Sequence, residues 1–360
     1  MDKPKVIHVL YSGLGGHANV VFPLIESSFG DNFINHLVFF GIEPSVNAYL
    51  KKCESLDIDF SEIRKKPKQY IRSFGQFTET LRDLNPDTII VHNSELIIPA
   101  LQYKKKHPNC SVYYIEHQDN NTKGITLNFL SKYALKRSDG VICLSENFKD
   151  ELLAKYKSKV PIHVISNGID IGKYKTVENR NPLVLGMASR MMQTKDHTNL
   201  LKAFKIVLQK HPEVKLEIAG DGATYNAVIA LAHELKVIDA VNFLGFLNDA
   251  EMIDFYNRIG IYILATNSET MSTAILQAMA CGLPVITSDI KNNAAILEHQ
   301  KTGWLYKDRN SVDLANQINF VIENFDNSIK VGLDAREEVK QNYSVVKMAE
   351  RYTSLVKEKL

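Results

Sequence analysis

Short apolar runs alternate with longer amphipathic stretches along the whole chain, a pattern that predicts repeated strand–helix units and parallel sheets. In the first half the apolar runs predict strands at Val6–Tyr11, His36–Phe40, Asp59–Ile63, Thr88–His92, Val112–Glu116, Gly140–Leu144 and Ile162–Ile165. Helices fall between them, for example Phe74–Leu84 and Asn128–Lys136. Ser166-Asn167-Gly168-Ile169-Asp170 is a turn-rich break, after which the pattern restarts. Further strands are expected at Leu183–Ala188, Lys215–Ala219, Val241–Leu244, Ile261–Leu264 and Val285–Ser288, and the tail Tyr343–Leu360 reads as a terminal helix. The predicted fold class is α/β, with two Rossmann-like doubly wound domains, residues 1–166 and 167–342, facing a central cleft. In such sheets ligands sit at the carboxyl ends of the strands, and nearly every polar motif of this chain falls at one.

The stretch Ser268–Ser288 carries the most chemistry. It reads as an acidic loop, a helix with Met271, Ile275, Met279 and Leu283 at helical spacing, and a turn at Gly282 and Pro284 into a buried strand. A helix N-terminus offers unpaired N–H groups and partial positive charge, which together make an anion site. Glu269 stands beside that site. A carboxylate there points to something held between the two, such as a sugar carrying a phosphate. Glu269 can accept from sugar hydroxyls through both oxygens, and Ser272 and Thr273 at the helix start would hold phosphate. Gln277 lies two turns further on. The plainer alternatives are an acid that merely stabilises the helix dipole and a solvent-facing glutamine.

Other strand ends add to this. Ala188-Ser189-Arg190 ends one strand, and Lys195 follows five residues after Arg190, so the two cations could clamp a pyrophosphate, Arg as a fork and Lys as a point charge. Gly220-Asp221-Gly222 allows close backbone approach after the next strand, and Gly245-Phe246 could wall a flat base after the third. Each of these also has a bland reading, as an exposed loop or a simple turn. In the first half, Gly13, Gly15 and Ala18 fit a relaxed dinucleotide fingerprint, with Glu43 after the second strand. Glu116-His117-Gln118-Asp119 and His92-Asn93 end neighbouring strands, and His117 could serve as hydrogen-bond donor or proton carrier.

Bulk properties narrow the classes. The net charge of +2 gives no general push towards nucleic acid. The four cysteines form no C-x-x-C pair, which argues against a zinc site or disulfide framework and for a reducing cytosol. The opening MDKPKVIHVLYSG has too short an apolar run for a signal peptide, and no segment approaches a membrane span. Asp57-Ile58-Asp59 lacks a third metal ligand nearby, and Lys104-Lys105-Lys106 reads as an exposed helix end. The basic run Arg64, Lys65, Lys66 and Lys68, with Arg72 close by, is either a solvated loop or a contact for anionic lipid or an acidic acceptor.

Taken in order, Gly15-Gly16, His117, Asn167-Gly168-Ile169-Asp170, Arg190 with Lys195, Gly220-x-Gly222 and Glu269 through Pro284 run across nearly the whole chain. That order resembles the retaining glycosyltransferases of GT-B fold, glycosyltransferase family 4. The closing Asn342-Tyr343-Ser344 and terminal helix are similar too. The resemblance implies an acceptor-binding first domain, a nucleotide-sugar-binding second domain, and residues 343–360 returning to the first. It implies transfer of a sugar from a nucleoside-diphosphate sugar, a UDP-hexose or UDP-N-acetylhexosamine, to a glycan or lipid-linked acceptor. Retention at the anomeric carbon, independence of metal, and a place in polysaccharide or lipopolysaccharide assembly at the cytoplasmic face of a membrane come with it. The catalytic residues it implies are Glu269, His117, Arg190 and Lys195. The donor-binding residues it implies are Gly15, Gly16, Gly220, Gly222, Gly245, Phe246, Thr270, Met271, Ser272, Thr273 and Gln277.

The chain departs from the family pattern in two places. Gln277 stands where a second Glu is usual, which removes a charge from the expected ribose contact. Thr270-Met271-Ser272 replaces a Gly-Phe-Gly-like turn, which leaves the sugar open. Two rival readings follow: a glycosyltransferase-like subunit that binds without turnover, supported by Gln277, and a nicotinamide-dependent oxidoreductase, supported by the fingerprint after the first strand.

Overall fold

The first strand, β1 (Lys5–Tyr11), is buried from Val6 to Leu10 on both of its faces. That is the environment of a parallel strand covered by helices above and below, and it explains why these strands read as continuous apolar runs. In the computed structural model, which describes residues 3–13, 15–66, 70–120 and 122–360, the chain divides into two compact units. One runs to Gly168 and includes Val345–Leu360; the other is Ile169–Ser344.

In the first unit β1 is joined by β2 (Ile34–Gly41), β3 (Asp59–Arg64), β4 (Thr88–Val91), β5 (Ser111–Ile115), β6 (Gly140–Cys143) and β7 (Ile162–Val164). They form one parallel sheet in the order β3-β2-β1-β4-β5-β6-β7. Alternate residues feed two cores. Ile7, Val9, Val38 and Phe40 pack with Phe77, Leu81, Ala134 and Phe148 on one face. Leu10, Leu37 and Phe39 pack with Val21, Phe22 and Cys53 on the other. Burying such a side chain stabilises the fold by roughly 1.5–3 kcal/mol. His8 is the polar exception inside the β1 run and is fully buried. The C-terminal helix Val345–Lys357 belongs to this unit. Tyr352 packs edge-on to Phe29, Tyr113 donates to the Leu355 carbonyl at 3.2 Å, and Lys357 reaches Asn32 at 2.7 Å.

The second unit repeats the plan with β8 (Val184–Ala188), β9 (Lys215–Ala219), β10 (Val241–Gly245), β11 (Ile261–Leu264), β12 (Val285–Ser288) and β13 (Trp304–Tyr306). The parallel order is β10-β9-β8-β11-β12-β13. In both sheets the winding direction reverses beside the first strand, between β1 and β4 and between β8 and β11. Such switch points open a crevice at the carboxyl strand ends where ligands bind. The strands expected from the sequence are present with shifted ends. The structure adds β13, a three-residue strand, and the helices Ser311–Glu323 and Phe325–Asn342. All four cysteines are free and buried.

Candidate active site

In the second unit the switch point is built by two backbone loops that bond to each other. After β8, the chain turns through residues 189–196 into the helix His197–Lys210, which Asp196 caps by accepting from the Asn199 amide at 3.0 Å. After β11, Asn267 N–H donates to the Thr194 carbonyl at 2.8 Å, and Asp196 N–H donates to the Ala265 carbonyl at 3.0 Å. These bonds carry Lys195 against Glu269, and the two form an ion pair. Both side chains are largely buried, at 15% and 12% exposure. Arg190 is exposed, with no ion pair among the described residues. Asn292 donates to the Glu269 carbonyl at 2.6 Å and holds the loop from behind.

The two glycines after β9 serve this loop directly. A Cβ on Gly220 would lie 1.9 Å from the Ser189 carbonyl oxygen, and one on Gly222 would lie 2.3 Å from that of Met191. Both residues have positive φ, +128° and +151°. The close approach they permit is therefore to the backbone on either side of Arg190, and any other residue would push that loop away. Gly245 also has positive φ, but its Cβ direction is open, and Phe246 beside it is 55% exposed.

The helix Thr273–Ala280 begins at Ser272, whose hydroxyl accepts from the Ile275 amide at 3.3 Å. Ser272 thus caps the helix, satisfying one of its free N–H groups. Met271 is buried, while Thr270 and Thr273 are half-buried. Gln277 is half-buried, and its carbonyl oxygen accepts from the Tyr256 hydroxyl at 3.1 Å. Tyr256 is a neighbour with no spacing signal that would tie it to Gln277.

In the first unit the ends of β4 and β5 bring imidazole rings together beside a buried ion pair. His92 follows β4 and His117 follows β5. His92 Nδ1 and His117 Nε2 are 3.2 Å apart, and His8 Nδ1 lies 3.4 Å from His92 Nε2. His17 stands edge-on to His117, with ring centroids 4.4 Å apart. Burial pushes His8 and His17 down to about 4, and holds His92 and His117 well below the ordinary imidazole range. All four are neutral at pH 7. One nitrogen each from His17, His92 and His117 lies within 4.8 Å of the others, a spacing a metal ion could use. Behind His117, the buried Glu116 pairs with Lys123 at 2.7 Å and accepts from Ser131 at 2.6 Å and from the Gln118 amide at 3.2 Å. That pair pins both ends of the loop carrying His117, and removing one partner would leave a buried charge unpaired.

Gly15 exchanges bonds with the Tyr49 hydroxyl at 3.3 and 3.2 Å, and Gly16 has open space where a side chain would go. The Glu43 carboxylate occupies the space where a Gly13 side chain would be. The basic run needs correction. Lys65 is 5% exposed and pairs with Glu95 at 2.6 Å, so it is unavailable to an anionic surface. Its alternation with Ile63 continues the inward face of β3. Arg64 and Lys66 are exposed, and Lys68 lies outside the described residues. Lys104 likewise is held, 2.6 Å from Asp139. No helix among the described residues is long and apolar enough to cross a membrane.

Two family models match the chain: one described as glycosyl transferases group 1, over residues 170–341, and one described as Glycosyltransferase Family 4, over residues 40–173. An uncharacterized glycosyltransferase of Haemophilus influenzae is 25% identical over 349 residues, covering 94% of each chain. The alpha-monoglucosyldiacylglycerol synthase of Streptococcus pneumoniae is 31% identical over 232 residues, 59% of this chain and 51% of that one. The structure of Anabaena Alr3699/HepE in complex with UDP and glucose matches with a TM-score of 0.86 at 19% identity, covering 99% of this chain and 100% of that one. At that identity the likeness speaks for the fold.

Proposed function

Because this chain belongs to the group 1, family 4 glycosyltransferases, we propose that it moves a hexosyl or N-acetylhexosaminyl group from a uridine-diphosphate sugar to a glycan or lipid-linked acceptor. The observation that carries this reading is the Lys195–Glu269 pair at the switch point, with the exposed Arg190 on the same loop as Lys195. The hard step is departure of the nucleoside diphosphate. The bond from the anomeric carbon to the phosphate oxygen breaks, and its electron pair leaves with the phosphate. Arg190, Lys195 and the N–H groups at the start of Thr273–Ala280 stabilise that growing charge. A diphosphate competes with Glu269 for Lys195. The released carboxylate then orients the sugar hydroxyls and favours the positive charge that develops on the ring. The acceptor oxygen attacks the same face, giving retention, and its proton passes to the leaving phosphate. His117 of the first unit bonds a sugar or acceptor hydroxyl. Phe246 walls the base, and Gln277 contributes to ribose binding as a neutral group.

The positive groups around the diphosphate supply what a metal would otherwise provide, so turnover should survive a chelator. The uridine donor is supported by the UDP and glucose bound in the Anabaena structure. A lipid-linked acceptor is supported by the name of the pneumococcal relative. Work at the cytoplasmic face of a membrane, in assembly of a surface polysaccharide, is supported by the free buried cysteines and by the exposed Arg64 and Lys66. The test is a panel of nucleotide sugars scored for binding and for slow hydrolysis without acceptor. The expected result is one uridine-diphosphate sugar hydrolysed, with hydrolysis lost in Glu269→Ala. Binding without turnover, even with cell extract as acceptor, would favour a subunit that only holds the donor.

A further inference from the structure

One helix of the first unit carries an apolar face that the fold leaves uncovered. The helix Ile125–Arg137 buries Leu130, Ser131, Ala134 and Leu135 in the first unit. About 3.6 residues per turn places Ile125, Phe129 and Lys136 along the opposite face, with Lys132 on one flank and Tyr133 and Arg137 on the other. Ile125 is 92% exposed and Phe129 57%. This is not a frayed helix end. Asn128 donates to the Lys123 and Gly124 carbonyls at 2.9 and 3.0 Å, and the Tyr156 hydroxyl donates to Asn128 Oδ1. The first turn is tied down, and Ile125 is still left in water.

Charge on this face has one sign. The helix, ITLNFLSKYALKR, carries Lys132, Lys136 and Arg137 and no carboxylate. Lys136 and Arg137 lie in the last turn, where the helix dipole alone favours cations. The dipole accounts neither for Lys132 nor for the exposed Ile125 and Phe129. Arg137 lies over the Tyr133 ring, 4.5 Å from its centroid, and the Phe129 and Tyr133 rings are 6.1 Å apart. Guanidinium and rings thus form one continuous surface. The neighbouring helix Ile97–Lys106 ends at the same place, because Lys104 pairs with Asp139, two residues past Arg137. That brings the exposed Lys105 and Lys106 to the cationic end of the face. A second copy of this chain would fit poorly here, since a two-fold contact sets these cations against their own image. An apolar face edged by cations along a helix matches the headgroup region of an anionic bilayer.

We propose that the helix Ile125–Arg137 docks flat on an anionic phospholipid bilayer. Ile125 and Phe129 enter the boundary between headgroups and acyl chains, and Lys132, Lys136 and Arg137 meet lipid phosphates. Lys105 and Lys106 add to the same attraction. The face is small, so attachment is reversible. The helix follows β5 at the carboxyl edge of the sheet, where ligands of such sheets bind. Docking therefore brings that edge to molecules carried in the membrane. Delivery of a membrane-borne acceptor rests on the transferase reading; the docking does not.

Sedimentation of the full chain with vesicles tests the docking. Equimolar phosphatidylglycerol and phosphatidylcholine should carry the protein down, phosphatidylcholine alone should not, and salt should release it. One cation near an anionic surface is worth about fivefold in partition. Lys132→Glu combined with Lys136→Glu should therefore weaken binding by about 25-fold or more, and Phe129→Ser by about tenfold. Unchanged thermal unfolding of these variants would show that the loss is at the surface. Phe129→Trp places a reporter on the face, and its emission should shift to the blue with anionic vesicles. Phe320→Trp, at an exposed position of the second unit, should not respond. No sedimentation with anionic vesicles, equal binding by the charge-reversed protein, or no shift at residue 129 would overturn the docking. A dimer in solution that Phe129→Ser dissolves would overturn it too, and would assign the face to a second copy. Vesicle binding by a chain that turns over no nucleotide sugar would uphold the docking and defeat the transferase reading alone.

Discussion

At the switch point of the second unit the chain gathers charge: an exposed guanidinium at Arg190 and a Lys195–Glu269 pair that keeps some exposure to water. At the matching point of the first unit it gathers neutral rings, with His8 fully excluded from solvent and His92 nearly so. The two units share one sheet topology and one location for polar residues. The difference shows what burial permits. Desolvation penalises the charged form of a group, so charges persist where they meet a partner or water. Imidazoles can go deeper because they shed their charge and share protons instead. A charged crevice suits a leaving diphosphate; a row of neutral rings suits a hydroxyl that needs an oriented partner.

The largest expected effects break the charged half. If the proposed mechanism holds, Arg190→Ala and Lys195→Ala should each lower turnover by about two to three orders of magnitude, the usual cost of removing a group that stabilises developing negative charge. Steady-state transfer assays check this, and normal turnover in both variants would remove the clamp.

Acid should break the neutral half. His8 and His17 titrate at about 4 in the folded unit and near 6.5 when unfolded. Between these values the unfolded chain takes up protons that the folded one refuses. Their stability is thus complete above pH 6.5 and is lost as pH falls towards 4, on the order of 3 kcal/mol for each ring. In the second unit His197 also titrates at about 4. Trp304, the single tryptophan, is buried in the second unit and reports on it separately. During acid titration, loss of helical signal should precede the change in Trp304 fluorescence. Coincident transitions would mean the histidines do not set the first unit's acid stability.

The smallest effect sharpens the comparison. Gln277→Glu adds a charge beside the Tyr256 hydroxyl, in the second unit where charge is tolerated. Donor affinity should rise by about fivefold, the difference between a neutral and a charge-assisted hydrogen bond. Titration calorimetry with the donor reads this, and unchanged affinity would place Gln277 outside the ribose contact.

The strands were legible because parallel strands buried on both faces read as unbroken apolar runs, as in Ile261–Leu264. β13 was not, since three residues after Gly303 carry no period to read. Arg190, Lys195 and Glu269 could each be named from the sequence. That Lys195 pairs with Glu269 could not, because the pairing depends on backbone bonds between Thr194–Asp196 and Ala265–Asn267. The histidine line escaped for a different reason. A lone His inside an apolar strand has no spacing signal, and the clue was only that His8 interrupts a run that is otherwise apolar. Lys65 misled because a run of like charges hides the two-residue alternation that turns one of them inward.

The central claim is that the second unit holds the diphosphate and the first unit supplies an uncharged hydrogen-bond partner. Calorimetric titration of UDP into the wild type, Arg190→Ala and His117→Ala tests it most directly. The account predicts that Arg190→Ala weakens UDP by about tenfold or more, the loss of a charged hydrogen bond, while His117→Ala leaves UDP affinity unchanged and lowers turnover. UDP binding that is lost in His117→Ala and kept in Arg190→Ala would contradict it.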